Sequence, residues 1–131
     1  MVGQLSKVAP LDCYPQTSPD AVQTYENLAN FFLELALQET DCLRWLPSMI
    51  AASSICLARV CLGIQPHWKT QLEAFSDYDQ SAVRACIVEI HALHRKAAFS
   101  SLRTVVDKYS LAKLQCVAQL TPLETLPPEL R

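Results

Sequence analysis

The chain has 131 residues, 50% of them hydrophobic and 18% charged, which is enough for one domain with a real core and too little for two ordinary ones. Its formal net charge is -2 and its 11 lysines and arginines are scattered, so the electrostatic footprint expected of a nucleic-acid partner is missing. With only two glycines, Gly3 and Gly63, the chain lacks the turn chemistry of a hairpin-rich β protein and cannot build a glycine-rich phosphate loop.

An extended lead over 1–17, with Pro10 and Pro15, precedes the first predicted helix. There Ser18 reads as the N-cap, Pro19 takes the first helical position, and Asp20 and Glu26 suit the positive end of the helix dipole. Val22, Tyr25, Leu28, Ala29, Phe32, Leu35 and Ala36 recur at threes and fours. Phe31, Leu33 and Leu37 widen that band, which predicts a helix touching neighbours on more than one side.

The stretch "WLPSMIAASSICLARVCLG" follows, opened by Pro47 and closed by Gly63. The apolar run between them falls short of the ~20 residues that cross a bilayer, so a membrane is excluded as its setting. Met49, Ile50, Ile55, Leu57, Val60 and Leu62 point around nearly the whole circumference, and Ala51, Ala52, Ser53, Ser54 and Ala58 permit close approach. A helix apolar all round must be surrounded, and a serine within it can place its hydroxyl on the carbonyl one turn back. The segment is expected to be the central post of a compact bundle.

A short third helix is predicted over 66–75, with Trp68, Leu72 and Phe75 on one side. In the fourth, Asp77 or Asp79 is the N-cap and Val83, Cys86, Ile87, Ile90, Leu93, His94 and Ala97 form the apolar stripe, flanked by Arg84, His91 and Arg95. A fifth over 99–109 carries Phe99, Leu102, Val105, Val106 and Tyr109. "LAKLQCVAQL" can add a turn or two before the proline-rich tail "TPLETLPPELR", so the domain is placed at 18–120, with 1–17 as linker and 121–131 as tail.

The sequence carries no recognisable catalytic or metal-binding pattern. The six cysteines form no C-x-x-C pair, and the absence of a signal-peptide pattern and of any N-x-S/T acceptor implies free, buried thiols in a reduced compartment. Within one helix Cys86 lies about 140° from His91 and about 80° from His94, which is no nucleophile dyad. The two histidines stand at i, i+3 without an evident third metal ligand, and His94, in mid-stripe, reads as a hydrogen-bonded core residue. The acidic residues are dispersed as caps and solvated faces, and no G-x-S-x-G elbow is present. No cofactor, no metal and no enzymatic activity are expected. Ser18-Pro19 and Thr121-Pro122 are minimal proline-directed phosphorylation patterns without a basic residue two positions after the proline, and Arg59 to Leu62 spells R-x-x-L inside the most buried helix.

The order of these features resembles the C-terminal cyclin box, the second five-helix repeat of the A- and B-type mitotic cyclins. The residues that carry the resemblance are "YENLANFFLELALQETDCLRWLPSMIAASSICLAR", then Trp68, Cys86, "EIHALHRKA", "VVDKYS" and "VAQLTPLETL", together spanning about Tyr14 to Leu126. The resemblance implies an all-α fold: a five-helix cyclin-box bundle around a buried central helix. It also implies a non-catalytic regulatory module of the cyclin-dependent kinase system, working in nucleus and cytoplasm.

The family's first cyclin box, which carries the main kinase contacts, has no counterpart within these residues, so no kinase-contact residue can be carried over and a cyclin-dependent kinase would be engaged indirectly, with a first box. Either the chain is part of a longer cyclin or it is a single-box protein with its own cell-cycle partner. In both cases Phe31, Leu33 and Leu37 are the candidate surface facing that partner or box, against the alternative of burial under "LDCYPQ". An adaptor role like that of the transcription factor IIB and retinoblastoma families is the competing reading, and the acidic balance counts against its DNA-binding form.

Overall fold

The computed structural model of the chain describes residues 19–64, 76–97 and 103–130. All regular structure among them is helical: α1 (Pro19–Leu37), α2 (Pro47–Cys61), α3 (Gln80–Lys96) and the short α4 (Arg103–Lys108), with one 3-10 turn between α1 and α2 and three after α4. The fold is all-α. The expected Ser18 cap, the short helix over 66–75 and the first residues of the fifth helix lie outside the described residues, so the described part holds four α-helices rather than the five expected.

α2 is the middle of the molecule, and every residue from 50 to 60 is buried. Its ends follow from its sequence. Leu46 is held extended (φ -63°, ψ 147°), as the residue before a proline prefers, and Pro47 starts the helix where a missing N–H costs nothing. At the other end Gly63 turns left-handed (φ 70°), letting Ile64 N–H donate to the Arg59 carbonyl at 2.8 Å and Gly63 N–H to Val60 at 3.1 Å. This paired closure satisfies carbonyls that the helix end would otherwise leave open. Ser54 Oγ donates to the Ile50 carbonyl at 2.8 Å, so its hydroxyl is accommodated without any partner outside the helix.

α1 and α3 pack along α2 and on each other. α1 buries Tyr25, Leu28, Ala29, Phe31, Phe32, Leu33, Leu35 and Ala36, more than one stripe, because it also meets α4 and the turns after it. α3 starts at Asp79, whose Oδ1 accepts from Ala82 N–H at 2.8 Å, while Asp77 (φ 64°) makes the left-handed bend before it. Its core face is Val83, Cys86, Ile87, Ile90, His94 and Ala97, as the 3.6-residue period requires, with Leu93 half-buried. His91, expected on the polar flank with Arg84 and Arg95, is instead 7% exposed.

The reason lies at the C-terminus. Residues 121–130, expected as a tail beyond the domain, fold back onto it. Leu126 and Leu130 are buried at 5% and 0%, the Pro128–Leu130 turn packs on α3, and the His91 ring Nε2 is 2.8 Å from the Leu123 carbonyl. Two leucines buried from water contribute roughly 1.5–3 kcal/mol each, enough to hold a segment with little secondary structure of its own.

Candidate functional site

Of the three residues expected at a partner-facing surface, the structure takes two into the core. Phe31 is 0% exposed, packed against Phe32, His94 and Tyr109 with ring centroids 5.8, 5.9 and 5.6 Å away, and Leu33 is buried as well. Their width of band serves the chain's own packing. Leu37, at the end of α1, is 40% exposed and keeps an outward position.

The apolar surface that does reach solvent continues from Leu37 into the connection between α1 and α2. That connection is a 3-10 turn, Thr40–Arg44, started as α1 tightens through Glu39 N–H to the Ala36 carbonyl (3.0 Å). Cys42 points inward, and Leu43 and Leu46 project at 59% and 66% exposure. Neither leucine was flagged by the sequence, because a segment between helices carries no period from which facing can be read.

The turn is held from outside by Glu89 on α3. One carboxylate oxygen accepts from the Arg44 guanidinium at 2.8 Å and the other from the Trp45 indole N–H at 2.6 Å, while Arg44 also stacks over the Trp45 ring at 4.7 Å and donates to the Asp41 carbonyl at 2.7 Å. Ser48 and Tyr78 hydroxyls meet at 2.8 Å. Val88, next to Glu89, is a further exposed apolar side chain at 43%. The connection is held at its Arg44–Trp45 end and presents two large leucines to water, which makes it the candidate protein-contact surface of the chain.

The groups that might have carried chemistry are placed differently. Burial pushes the Cys86 thiol up to about 11 and the Cys61 thiol up to about 12, and it raises Cys42 too, with Glu89 adding to the effect, so these sulfurs stay protonated at neutral pH. His94 is 2% exposed, with its ring edge-on to Phe31 and Phe32, and burial followed by the neighbouring His91 lowers its pKa to about 4. Among the described residues neither ring nitrogen has the hydrogen-bond partner expected for it, and the Leu120 backbone nearby pulls its pKa upward only in part. Among the described residues no three histidines, cysteines or acids stand close enough to hold a metal ion. No helix among them is long and apolar enough to cross a membrane. Arg59 and Val60 of the R-x-x-L pattern are 1% and 9% exposed, which leaves that pattern inaccessible in the folded chain.

The described residues form an all-helical domain around a buried post, α2, which encloses Ser53, Ser54 and Arg59 as well as its apolar side chains. Residues 10–123 match the family described as the cyclin C-terminal domain, and the chain belongs to it. Its relatives include "Cyclin-B1-3" of Arabidopsis thaliana, 38% identical over 104 residues, which are 79% of this chain and 25% of that protein. "G2/mitotic-specific cyclin-A" of Hydra viridissima is 42% identical over 98 residues, 74% of this chain and 23% of the relative. "G2/mitotic-specific cyclin C13-1" of Daucus carota is 36% identical over 115 residues, 86% of this chain and 33% of the relative. The chain thus spans about a quarter to a third of the curated relatives it matches.

Proposed function

We propose that this chain is a non-catalytic regulatory module of the cyclin-dependent kinase system, acting in nucleus and cytoplasm, whose apolar connection at Leu37, Leu43 and Leu46 seats against a first cyclin box on the same or another chain. The observation that carries the reading is the cyclin C-terminal domain match over residues 10–123. The exposure of Leu43 and Leu46 on a turn clamped by Glu89 supports the choice of surface. High thiol pKa values and the dispersal of acidic residues support the absence of a reaction of its own. The competing adaptor role loses ground to the mitotic cyclins among the relatives.

The test mixes residues 1–131 with a purified cyclin-dependent kinase, with and without a separately produced first cyclin box, and follows binding by calorimetry and activity on a peptide substrate. The chain alone is expected neither to bind tightly nor to activate the kinase. With the first box it is expected to bind that box, and Leu43→Asp with Leu46→Asp to weaken the pairing at least tenfold. Tight activation of the kinase by the chain alone would show that the functional half has been misplaced.

A further inference from the structure

A cleft of about 480 Å³ opens between the end of α3, α4 and the Val117–Gln119 turn with the residues just after it. It is lined by His94 and Ala97, by Arg103, Val106 and Ser110, and by 118–122. Thr121, the acceptor of one of the two proline-directed patterns, stands on its wall and is exposed.

The backbone there has the form that a kinase requires of a substrate. Leu120 is extended (φ -63°, ψ 135°), Thr121 and the two residues after it lie outside any helix or turn, and Pro122 disfavours helical geometry at Thr121 itself. The His91 ring fixes the chain two residues beyond the acceptor by its contact with the Leu123 carbonyl, so the hydroxyl is presented at a defined place.

The other wall carries a cation with weak commitments. Among the described residues Arg103 meets the Ala97 carbonyl at 3.3 Å and the Asp107 carboxylate at 3.6 Å, both longer than a charge-assisted hydrogen bond of about 2.7–2.9 Å. Its side chain is 48% exposed, and a guanidinium has five N–H donors to offer. A phosphate on Thr121 would bring three strong acceptor oxygens and about -1.5 to -2 charge into the same cleft.

We propose that Thr121 is a phosphoacceptor for a proline-directed kinase and that Arg103 receives the phosphate across the cleft. In the transfer, Thr121 Oγ attacks the γ-phosphorus of a nucleoside triphosphate, its proton passes to the kinase's base, and the nucleoside diphosphate leaves. Glu124 occupies the position two residues after the proline, so the kinase is one that reads proline alone and does not need a basic residue there. The inference stands apart from the kinase-partner reading and survives its failure.

Two measurements test it. A mitogen-activated protein kinase with ATP should label the full chain at Thr121, with Thr121→Val at least tenfold slower. Equal labelling of Thr121→Val, or none of either chain, overturns the acceptor assignment. Separately, the chain made with phosphothreonine at 121 should show, by phosphorus NMR titration, a second phosphate pKa at least half a unit below its value in the urea-unfolded chain, restored by Arg103→Gln. A pKa equal to the unfolded one, indifference to Arg103→Gln, or loss of fold on phosphorylation would each contradict docking on Arg103.

Discussion

Acidification should destabilise this domain through one side chain, His94. The imidazole is 2% exposed, edge-on to two phenylalanines, and among the described residues its nitrogens have no normal hydrogen-bond partner, so a proton placed there has little to compensate its lost hydration. Its folded pKa is lowered from 6.5 to about 4, which fixes the sign: the unfolded chain binds the proton first. The associated stability is therefore complete above pH 6.5, is lost as the pH falls from there toward 4, and changes no further below that. The full difference corresponds to about 3 kcal/mol, of which about 2 kcal/mol is gone at pH 5.

Urea unfolding at pH 7.5 and pH 5, on the natural chain and on His94→Phe, isolates the effect because all other groups titrate in both proteins. Phenylalanine fills a similar volume and has no buried nitrogens, so at pH 7.5 the variant is expected within about 1 kcal/mol of the natural chain. At pH 5 the natural chain should have lost about 2 kcal/mol more than the variant. Equal losses would refute the argument, and would mean that His94 is solvated or protonated in the folded state.

Three further outcomes are expected. Ala52 is 0% exposed in mid-α2, so Ala52→Leu should cost about 1–3 kcal/mol of unfolding free energy by overpacking; a change within error would show a loosely filled centre. A Cβ at Gly63 meets nothing within 4 Å, and Gly63→Ala should therefore lose only the conformational preference at φ 70°, about 1–2 kcal/mol, measurable as a lower midpoint in thermal unfolding. Leu43→Asp and Leu46→Asp should leave the unfolding free energy within about 0.5 kcal/mol while the pairing weakens at least tenfold, a split that separates an interaction surface from a core.

How much of this was legible beforehand depends on which interactions a local pattern can encode. The limits of α2 were legible because Pro47 and Gly63 act on the backbone beside them, and its burial because apolar and small residues fall on every side of it, although the burial of Arg59 among them was not. The cap of α3 was narrowed to Asp77 or Asp79, and the structure divides the roles, with Asp79 capping and Asp77 bending. The band of α1 exceeds one stripe, which left Phe31 and Leu33 open to two readings, a partner-facing surface or burial under the lead segment. What covers Phe31 is Tyr109 and His94, brought from far along the chain, and no helical period records that.

The packing of the C-terminal segment is not encoded locally for a related reason. Leu123, Leu126 and Leu130 stand among prolines without periodicity, and it is α3 that supplies their site and hides His91 beneath them. The exposed leucines of the 40–46 connection were missed because facing there is decided by the Glu89 clamp, a contact between distant parts of the chain. The pair of left-handed residues Gln115 and Cys116 had no glycine to announce it; the Gln115 side chain accepts from the Asn27 amide, tying that bend to α1.

The central claim is that α2 is enclosed by the rest of the domain, and hydrogen exchange of its amides tests it most directly. If the claim holds, the backbone amides of residues 54–62 exchange only through global unfolding, with free energies equal to that from urea denaturation, while those of the short α4 exchange through smaller openings. Exchange of the α2 amides at the same low cost as those of α4 would contradict it, and with it the architecture on which the regulatory assignment rests.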